Sequence, residues 1–250
     1  MWRQEPGAWD SLHGGADHTI DVSLIIGTRD RSQRLARFLE SVRRLKFERR
    51  WEFIIVDNGS VDKTAALVED FIAASSIPVA YVFEPRPGLG NAHNAGLRIA
   101  RGEILAFTDD DCYPAPDFLC RIWSGFEDVT LGYITGRIMF HDSTDYPITI
   151  NESTTSLTIP AHSFIPPGDV QGANMAFRAS VLRDIDGFDP LFEPGSLFNS
   201  EDLDVAARAS ALGWRRDTVR KSLSAIITDG RNPTYALYCN RTTSATVQIE

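Results

Sequence analysis

The sequence predicts an α/β fold in which a mostly parallel central sheet carries helices on both faces, within a single domain. Short apolar runs of the kind that form buried strands alternate with stretches in which apolar residues recur at helical spacing. Because the carboxyl ends of parallel strands lie along one edge of a sheet, polar residues that follow the strands should meet in one crevice. Polar clusters follow three of the apolar runs, at Thr28-Arg29, Asp57-Asn58 and Asp109-Asp110-Asp111.

The first half of the chain carries the regular alternation. Buried strands are predicted at residues 22–26, 53–56, 79–83 and 104–107, each a short apolar run followed by a turn or loop signal. The first helix, predicted after Arg31, has an apolar stripe at helical spacing, formed by Leu35, Phe38, Leu39, Val42 and Leu45. Two further helices are predicted, one capped by Asp62 or Ser60 and one over residues 91–101.

The second half is less regular, and its middle, residues 140–171, is rich in Thr, Ser and Pro. A loop of that length in a compact domain is typical of a functional segment. The last predicted helix is expected to end at Gly213, a residue type suited to a C-terminal cap. The elements predicted here are a helix at 116–126, a strand at 131–139, extended chain at 172–177, and helices at 180–184 and 201–212.

Composition excludes several classes of protein. The chain has 250 residues and a formal net charge of -9, which argues against nucleic-acid binding because phosphate contacts need clustered Lys and Arg. Its three cysteines lack the number and spacing of a disulfide framework or a zinc site. No stretch reaches the roughly 20 apolar residues of a membrane span, and the polar lead-in over residues 1–20 lacks the apolar core of a secretion signal. We therefore expect a cytoplasmic protein.

One basic run stands out in this acidic chain. It could contact an anionic membrane surface, which would give a peripheral association with the inner face of a membrane. We favour the plainer interpretation, in which the run is the solvated end of a helix. The run consists of Arg43, Arg44, Lys46, Arg49 and Arg50.

Three consecutive carboxylates, Asp109, Asp110 and Asp111, follow the fourth predicted strand. Like charges this close repel one another, and in an apolar crevice that repulsion favours a bound cation. Mg²⁺ and Mn²⁺ take oxygen ligands and often bridge a carboxylate to substrate phosphates. The triplet therefore predicts a site for a diphosphate and a metal, and a solvated acidic loop is the alternative.

Two other polar clusters could contact a bound nucleotide or anion. Asp57 could accept a hydrogen bond from a nucleotide base or ribose, although Asn58-Gly59 is also a turn signal. A helix that begins in the glycine-rich segment near His93 and Asn94 would point N–H groups at an anion, although glycine there also fits a plain loop.

Glu201 and Asp202 open the last predicted helix. Acidic residues in a first turn are expected from the helix dipole alone. In the functional interpretation one of these carboxylates faces the crevice and accepts a proton from a substrate hydroxyl, which requires hydrogen-bond reach.

Taken together, these segments resemble the inverting glycosyltransferases often called family 2, which have the GT-A fold. The likeness runs from about residue 22 to about residue 229, with its motifs in the family's order. Its segments are VSLIIGTRDRSQRLARFLESV, IIVDNGSVDKT, PGLGNAHNAGLRIARGEILAFTDDDC, GANMAFRASVLRDIDGFDPLF and NSEDLDVAARASALGW. The resemblance implies a GT-A domain over residues 21–230, with a nucleotide-binding half at 21–112, an acceptor half at 113–230, and a C-terminal extension at 231–250.

The resemblance also implies a role for each site residue. The donor would be a nucleotide-diphosphate sugar, with uridine the favoured base, and the acceptor hydroxyl would belong to a saccharide, a lipid-linked sugar or another molecule. Asp202 would be the catalytic base, with Glu201 as an acceptor contact or the less favoured base. Mn²⁺ or Mg²⁺ would be held by Asp111, with Asp109. Donor contacts would come from Thr28, Arg29, Asp57, Asn58, His93, Asn94, Asp109 and Asp110, and the sugar and acceptor pocket from Gly172, Ala173 and Asn174.

The chain departs from the family pattern in two places. Family members commonly have Arg-Asn where this chain has His93-Asn94, and a neutral His would weaken any contact made by that arginine. Many members also have a metal-binding His downstream of the Glu-Asp motif, whereas this chain has no His after His162. Asp229 stands near that place and is a candidate third metal ligand, with a turn aspartate before Gly230 as the alternative.

Two rival functions remain at this level. A sugar-nucleotide pyrophosphorylase would use a similar sheet and metal, but it normally has a glycine-rich loop with Arg and Lys after the first strand, which GTRDRSQRL matches poorly. A catalytically silent nucleotide-sugar binding module would be favoured by loss of the carboxylate motifs, all of which are present.

Overall fold

A computed structural model of the protein describes residues 20–140, 150–155, 157–192, 200–218 and 226–228. Within them, none of the helices has the length and apolar character needed to cross a membrane. The elements, in chain order, are β1 (Ile20–Thr28), α1 (Ser32–Val42), β2 (Trp51–Asp57), α2 (Thr64–Ala73), β3 (Val79–Phe83), α3 (Leu89–Leu97), β4 (Gly102–Phe107), β5 (Cys112–Pro114), α4 (Phe118–Gly125), β6 (Leu131–Thr135), β7 (Ile138–Phe140), β8 (Leu157–Ile159), β9 (Met175–Arg178), α5 (Ala179–Asp184), α6 (Glu201–Ala211), β10 (Arg215–Thr218) and β11 (Ile226–Thr228).

The described strands form one large sheet and one small one. The large sheet has the order β3-β2-β1-β4-β9-β6-β10-β8, and the small sheet has the order β5-β11-β7. Strands β3, β2, β1 and β4 pair in parallel, as do β6 and β10. Strand β9 pairs antiparallel with both β4 and β6, so β4 and β6 run in the same direction. The predicted α/β fold with a mostly parallel sheet is confirmed.

Helices cover both faces of the large sheet. Alternate residues of a strand point to opposite faces, so neighbours such as Leu24 and Ile25 on β1 enter different cores. One core takes Leu24 together with side chains of α1, α2 and α4. The other takes Ile25 with side chains of α3, α5 and α6. Burial on both faces explains why the strands read as continuous apolar runs in the sequence.

Strand direction brings the predicted polar clusters to one edge. In the parallel pairing of β1 with β2, Thr28 is the register partner of Asp57, so the two strand ends lie side by side. Strand β4 pairs in parallel with β1 on its other side and leads directly into the carboxylate triplet. The edge defined by these three strand ends is called the crevice below.

The second half differs from the sequence prediction in its strands. The single strand predicted at 131–139 is divided after Thr135, because β6 belongs to the large sheet and β7 pairs with β11 in the small one. Between them, Gly136 donates its N–H to the Asn174 carbonyl, 3.1 Å away. A side chain at position 136 would overlap Asn174, so only glycine fits there. The predicted extended chain at 172–177 begins as a 3₁₀ turn over Gly172–Asn174 and becomes strand only at Met175.

The predicted loop, the predicted end of the last helix and the two terminal segments can also be compared with the structure. Part of the predicted 140–171 loop is ordered as β8, which pairs with β10. The end of α6 is as predicted, because Gly213 has a positive φ of 96° just after the C-cap. The predicted lead-in lies outside the described residues except for Ile20, which already belongs to β1. The C-terminal extension at 231–250 lies outside them altogether.

Close packing of α3 on the sheet leads to a stability prediction. A Cβ at Gly96 would stand 2.6 Å from Cγ2 of Ile25, a buried β-branched side chain with little freedom to move. Overpacking costs about 1–3 kcal/mol and so outweighs the roughly 1 kcal/mol by which Ala is favoured over Gly in a helix. We expect Gly96→Ala to lower the free energy of unfolding in a urea titration by about 1 kcal/mol.

Gly90 on the same helix is the matched control. A Cβ there would be 3.4 Å from its nearest neighbour, which is an ordinary contact. Gly90→Ala is therefore expected to leave stability unchanged or to raise it slightly. A Gly96→Ala variant as stable as Gly90→Ala would show that α3 can move away from the sheet without loss.

Candidate active site

The ends of β1 and β2 present two buried polar side chains to the crevice. Asp57 is 1% exposed and accepts hydrogen bonds at both carboxylate oxygens, from the Ser60 N–H at 2.7 Å and from the Tyr81 hydroxyl at 2.7 Å. Burial, with the hydrogen bond to Asp57, raises the pKa of Tyr81, so this hydroxyl stays protonated as a donor. These two bonds hold the Asp57 carboxylate in one orientation at the strand end. The role of Tyr81 was not foreseen from the sequence.

Asn58 is occupied by the loop that leads into α3. Its side-chain N–H₂ donates to the carbonyls of Glu84 and Arg86, and its carbonyl accepts the Gly88 N–H at 2.7 Å. All these partners are backbone groups. Asn58 therefore joins the end of β2 to the start of α3, next to the place where we predict a donor contact.

The first two members of the carboxylate triplet point in different directions. Asp110 is 1% exposed and accepts the Thr28 hydroxyl at 2.6 Å and an Arg31 N–H at 3.0 Å, which joins the end of β4 to the end of β1. Asp109 instead groups with Asp111: a carboxylate oxygen from each and the Cys112 Sγ all lie within 4.8 Å of one another.

The Asp109 and Asp111 carboxylates are held where negative charge is unfavourable. Burial, followed by repulsion from Asp111 and Asp110, raises the pKa of Asp109 well above its ordinary value. The pKa of Asp111 is also raised, by burial first and then by Asp110, and nearby arginines offset part of that effect. Carboxylates in this state gain stability from an added positive charge.

Two arginines at the start of α1 supply part of that charge. Arg31 Nη1 lies 3.0 Å from Asp110 Oδ1 and 3.7 Å from Asp111 Oδ2, and Arg34 Nη1 lies 3.1 Å from Asp111 Oδ2. The sequence predicted a donor contact at Arg29 and no site role for Arg31 or Arg34. The Arg29 side chain is 53% exposed and lies 3.8 Å from Asp30.

A signal for these arginines was present in the sequence. The positive end of the helix dipole disfavours cations at a helix N-terminus by about 0.3–1 kcal/mol each. Arg31 is the N-cap residue of α1 and Arg34 lies in its first turn, which contains no acidic residue. Arginines in such a position are unfavourable unless another group offsets their charge. They therefore indicate that carboxylates from elsewhere in the fold lie close to them.

The first turn of α6 reaches the same region. Asp202 accepts the Gly172 N–H at 3.1 Å through one oxygen and the Leu203 N–H at 2.7 Å through the other. Burial raises the pKa of Asp202, although these backbone hydrogen bonds oppose the shift. Glu201 is 8% exposed, and its charge contributes to the raised pKa of Asp109. The Gly172 turn that Asp202 contacts lies beside the end of β4, because Met175 is the register partner of Phe107, so the Glu-Asp pair and the carboxylate triplet lie in the same region.

The predicted pocket residues Gly172, Ala173 and Asn174 form the 3₁₀ turn before β9. Gly172 contacts Asp202 through its N–H, and Ala173 is buried. Asn174 is 1% exposed and donates from its side chain to the Arg137 carbonyl at 2.7 Å, which ties the turn to the break between β6 and β7.

His93 and Asn94 are buried residues of α3 and do not face solvent. The His93 ring packs against Phe107 and Phe188, and burial lowers its pKa to about 3, so the imidazole is neutral. The Asn94 side chain forms two hydrogen bonds with the backbone of Phe188, at 2.7 and 2.9 Å. Asn94 thereby holds the loop after α5 against α3.

The described residues of the predicted metal site are Asp109 and Asp111. Asp229 lies outside the described residues. Asp109 and Asp111 offer hard oxygen ligands of the kind that Mg²⁺ and Mn²⁺ prefer. Their raised pKa values fit a bound cation. The buried Thr108 hydroxyl beside them has no hydrogen-bond partner among the described residues, which fits a polar ligand.

Comparison with known proteins gives one family match and several distant relatives. The model of the family described as Glycosyl transferase family 2 matches residues 23–186. A pre-mycofactocin glycosyltransferase from Mycobacterium tuberculosis is 27% identical over 204 residues, which cover 78% of this chain and 40% of that protein. The glycosyltransferase AglE from Haloferax volcanii is 27% identical over 198 residues, which cover 77% of this chain and 62% of that protein. The chain thus spans less than two thirds of each relative.

Solved structures share the fold. The mannosyltransferase PcManGT from Pyrobaculum calidifontis, in complex with GDP-Man and Mn²⁺, superposes with a TM-score of 0.68 at 21% identity, over 91% of this chain and 63% of that chain. S. aureus TarS 1-349, in complex with UDP, superposes with a TM-score of 0.67 at 18% identity, over 82% of this chain and 59% of that chain. At this identity the likeness shows the fold, which is the predicted GT-A type.

Proposed function

Because the chain belongs to glycosyl transferase family 2, we propose that it transfers a sugar from a nucleotide-diphosphate donor to an acceptor hydroxyl, with inversion at the anomeric carbon. The observation that carries this proposal is that Asp202 contacts a turn beside the end of β4, where the carboxylate triplet begins. The carboxylate triplet is suited to binding a metal and a diphosphate, and the Glu-Asp pair is suited to accepting a proton.

The donor would lie along the ends of β1, β2 and β4. Asp57, fixed by Ser60 and Tyr81, would accept a hydrogen bond from the nucleotide. Thr28 and Asp110 would line the ribose and diphosphate. Donor contacts remain our prediction for Arg29, Asn58, His93, Asn94 and Asp109 as well. The hydrogen bonds of Asn58 and Asn94 favour an indirect role for these two, through the loops that they hold. The burial of His93 between two phenylalanine rings favours an indirect role for it as well.

Asp109 and Asp111 would hold Mn²⁺ or Mg²⁺, and Asp229 stays a candidate third ligand. When bound, such an ion would offset the charge that develops on the leaving diphosphate. The solved structure of PcManGT with GDP-Man and Mn²⁺ supports a divalent metal in this fold.

Asp202 would act as the catalytic base. Its carboxylate would accept the proton of the acceptor hydroxyl while that oxygen bonds to the anomeric carbon and the bond to the diphosphate oxygen breaks. The electron pair of the broken bond leaves with the nucleoside diphosphate, and attack from the opposite face inverts the configuration. A raised pKa makes the carboxylate a stronger proton acceptor than an ordinary aspartate.

The acceptor would enter beside the turn formed by Gly172, Ala173 and Asn174. The sequence favours uridine as the base of the donor, and the two solved relatives bind different nucleotides, GDP-Man and UDP. A saccharide, a lipid-linked sugar or another hydroxyl compound fits the proposed chemistry. A cytoplasmic location, at the inner face of a membrane for a lipid-linked acceptor, also remains a prediction.

Calorimetric titration of UDP, GDP and dTDP, in Mn²⁺ and then in EDTA, tests the proposal. We expect one nucleotide to bind tightly in Mn²⁺ and at least about tenfold more weakly in EDTA, because the metal links carboxylates to phosphates. A failure of all three nucleotides to bind would favour the silent module. Binding followed by nucleotidyl exchange with pyrophosphate, instead of sugar transfer, would favour the pyrophosphorylase.

A further inference from the structure

Arg31 and Arg34 occupy the positions next to the carboxylates that the proposed metal would use. Arg34 is 3.1 Å from Asp111, and Arg31 bridges Asp110 and Asp111 at 3.0 and 3.7 Å. In this state the arginines partly neutralise the site.

A divalent cation bound by Asp111 would add positive charge to a site that the two arginines already partly neutralise. Like charges a few ångströms apart repel strongly at the low effective dielectric of a partly buried site. A cation would therefore both compete with Arg34 for the Asp111 oxygen and be repelled by the two guanidinium groups. With these groups in place, the site should bind a metal weakly when no other anion is present.

A diphosphate would provide the missing anion. Guanidinium groups pair well with phosphate oxygens, often through two parallel hydrogen bonds. The side chains of Arg31 and Arg34 are 34% and 24% exposed, so they have space to turn while α1 stays in place. Transfer of these arginines from carboxylates to phosphates would free Asp111 for the metal.

We propose that Arg31 and Arg34 form a switchable charge pair that holds Asp110 and Asp111 in the free enzyme and binds the donor diphosphate in the complex. Metal and nucleotide then strengthen each other's binding, and by linkage the effect is the same in both directions. This inference rests on the proposed function and adds a diphosphate-binding role for two residues outside the carboxylate motifs.

The test measures Mn²⁺ binding from the electron paramagnetic resonance signal of the free ion, with and without UDP or GDP. In the parent protein we expect nucleotide to raise the Mn²⁺ affinity by about tenfold or more, which is within the usual range of coupling between sites. Arg34→Gln should raise the Mn²⁺ affinity without nucleotide and reduce the gain that nucleotide provides. Arg31→Gln should act in the same direction.

Two further variants separate charge from packing. Arg34→Lys keeps the positive charge, so its Mn²⁺ affinity without nucleotide should stay closer to the parent than that of Arg34→Gln. Arg44→Gln removes an exposed charge beyond the other end of α1. It should leave the Mn²⁺ affinity unchanged, both with and without nucleotide. Circular dichroism of each variant checks that the fold is kept.

The outcomes distinguish this inference from the function on which it rests. If nucleotide binds the parent but Arg34→Gln leaves the Mn²⁺ affinity unchanged or lowers it, the arginines are fixed parts of the site and the inference is wrong. If no nucleotide binds the parent at all, the proposed function fails and the inference falls with it.

Discussion

Replacing Asp202 by Asn is expected to lower the rate of sugar transfer by about 10²–10⁴-fold, the usual contribution of a general base. An amide cannot accept the proton of the acceptor hydroxyl, whereas its size and one carbonyl acceptor are kept for the Gly172 or Leu203 N–H. Nucleotide affinity, measured by calorimetry in Mn²⁺, should stay close to that of the parent protein, because the donor contacts that we propose lie at the ends of β1, β2 and β4.

Asp204→Asn is the matched control for this variant. It makes the same chemical change two residues further along α6, where the carboxylate pairs with Arg208 and not with Gly172. Loss of an i,i+4 ion pair has a small effect, so the transfer rate should stay within about twofold of the parent. A large loss in Glu201→Gln together with an active Asp202→Asn would move the role of base to Glu201.

The pH dependence gives a second readout for Asp202. The base works only when deprotonated, and burial raises the pKa of this carboxyl group. The rate should therefore fall as the pH is lowered through a value above the ordinary aspartate pKa of about 3.9. This acid limb should disappear from the residual activity of Asp202→Asn. An acid limb at the ordinary aspartate value would contradict a base with a raised pKa.

Replacing Asp111 by Ala should remove most of the metal dependence of nucleotide binding. Asp111 lies with Asp109 in the cluster best suited to a divalent cation, and loss of one carboxylate removes both a ligand and a negative charge. Changes around a metal site commonly cost about 10–100-fold in affinity even when the lost residue is not a direct ligand. We therefore expect Mn²⁺ affinity and transfer rate to fall by at least about 100-fold.

The EDTA condition is the internal control for Asp111→Ala. Without metal, the parent protein and the variant should bind nucleotide with similar affinity, because the nucleotide contacts that we propose at Thr28 and Asp57 are unchanged. A variant that keeps the parent's response to Mn²⁺ would show that the ion is held elsewhere, for example by Asp109 with residues outside the described part of the chain.

The sequence alone determined the parallel half of the sheet and the residues at its edge. Apolar runs and helical stripes are local signals, and each strand buried on both faces repeats the same signal. The strand predicted at 79–83 has the bounds found in the structure, and the other three differ only by extensions at their ends. Since parallel strands end at one edge, Asp57 and the carboxylate triplet could be assigned to one crevice before any contact was known.

The tertiary structure decided what each side chain at that edge contacts. Thr28 and Asp110 are 82 residues apart, Arg31 and Asp110 are 79 apart, and Gly172 and Asp202 are 30 apart. No local periodicity encodes such pairs, because they depend on how strands and helices pack after the chain has folded. The same packing turned Asn58 and Asn94 toward loop backbones and His93 into the core, and it brought two arginines from the start of α1 to the carboxylates that need their charge.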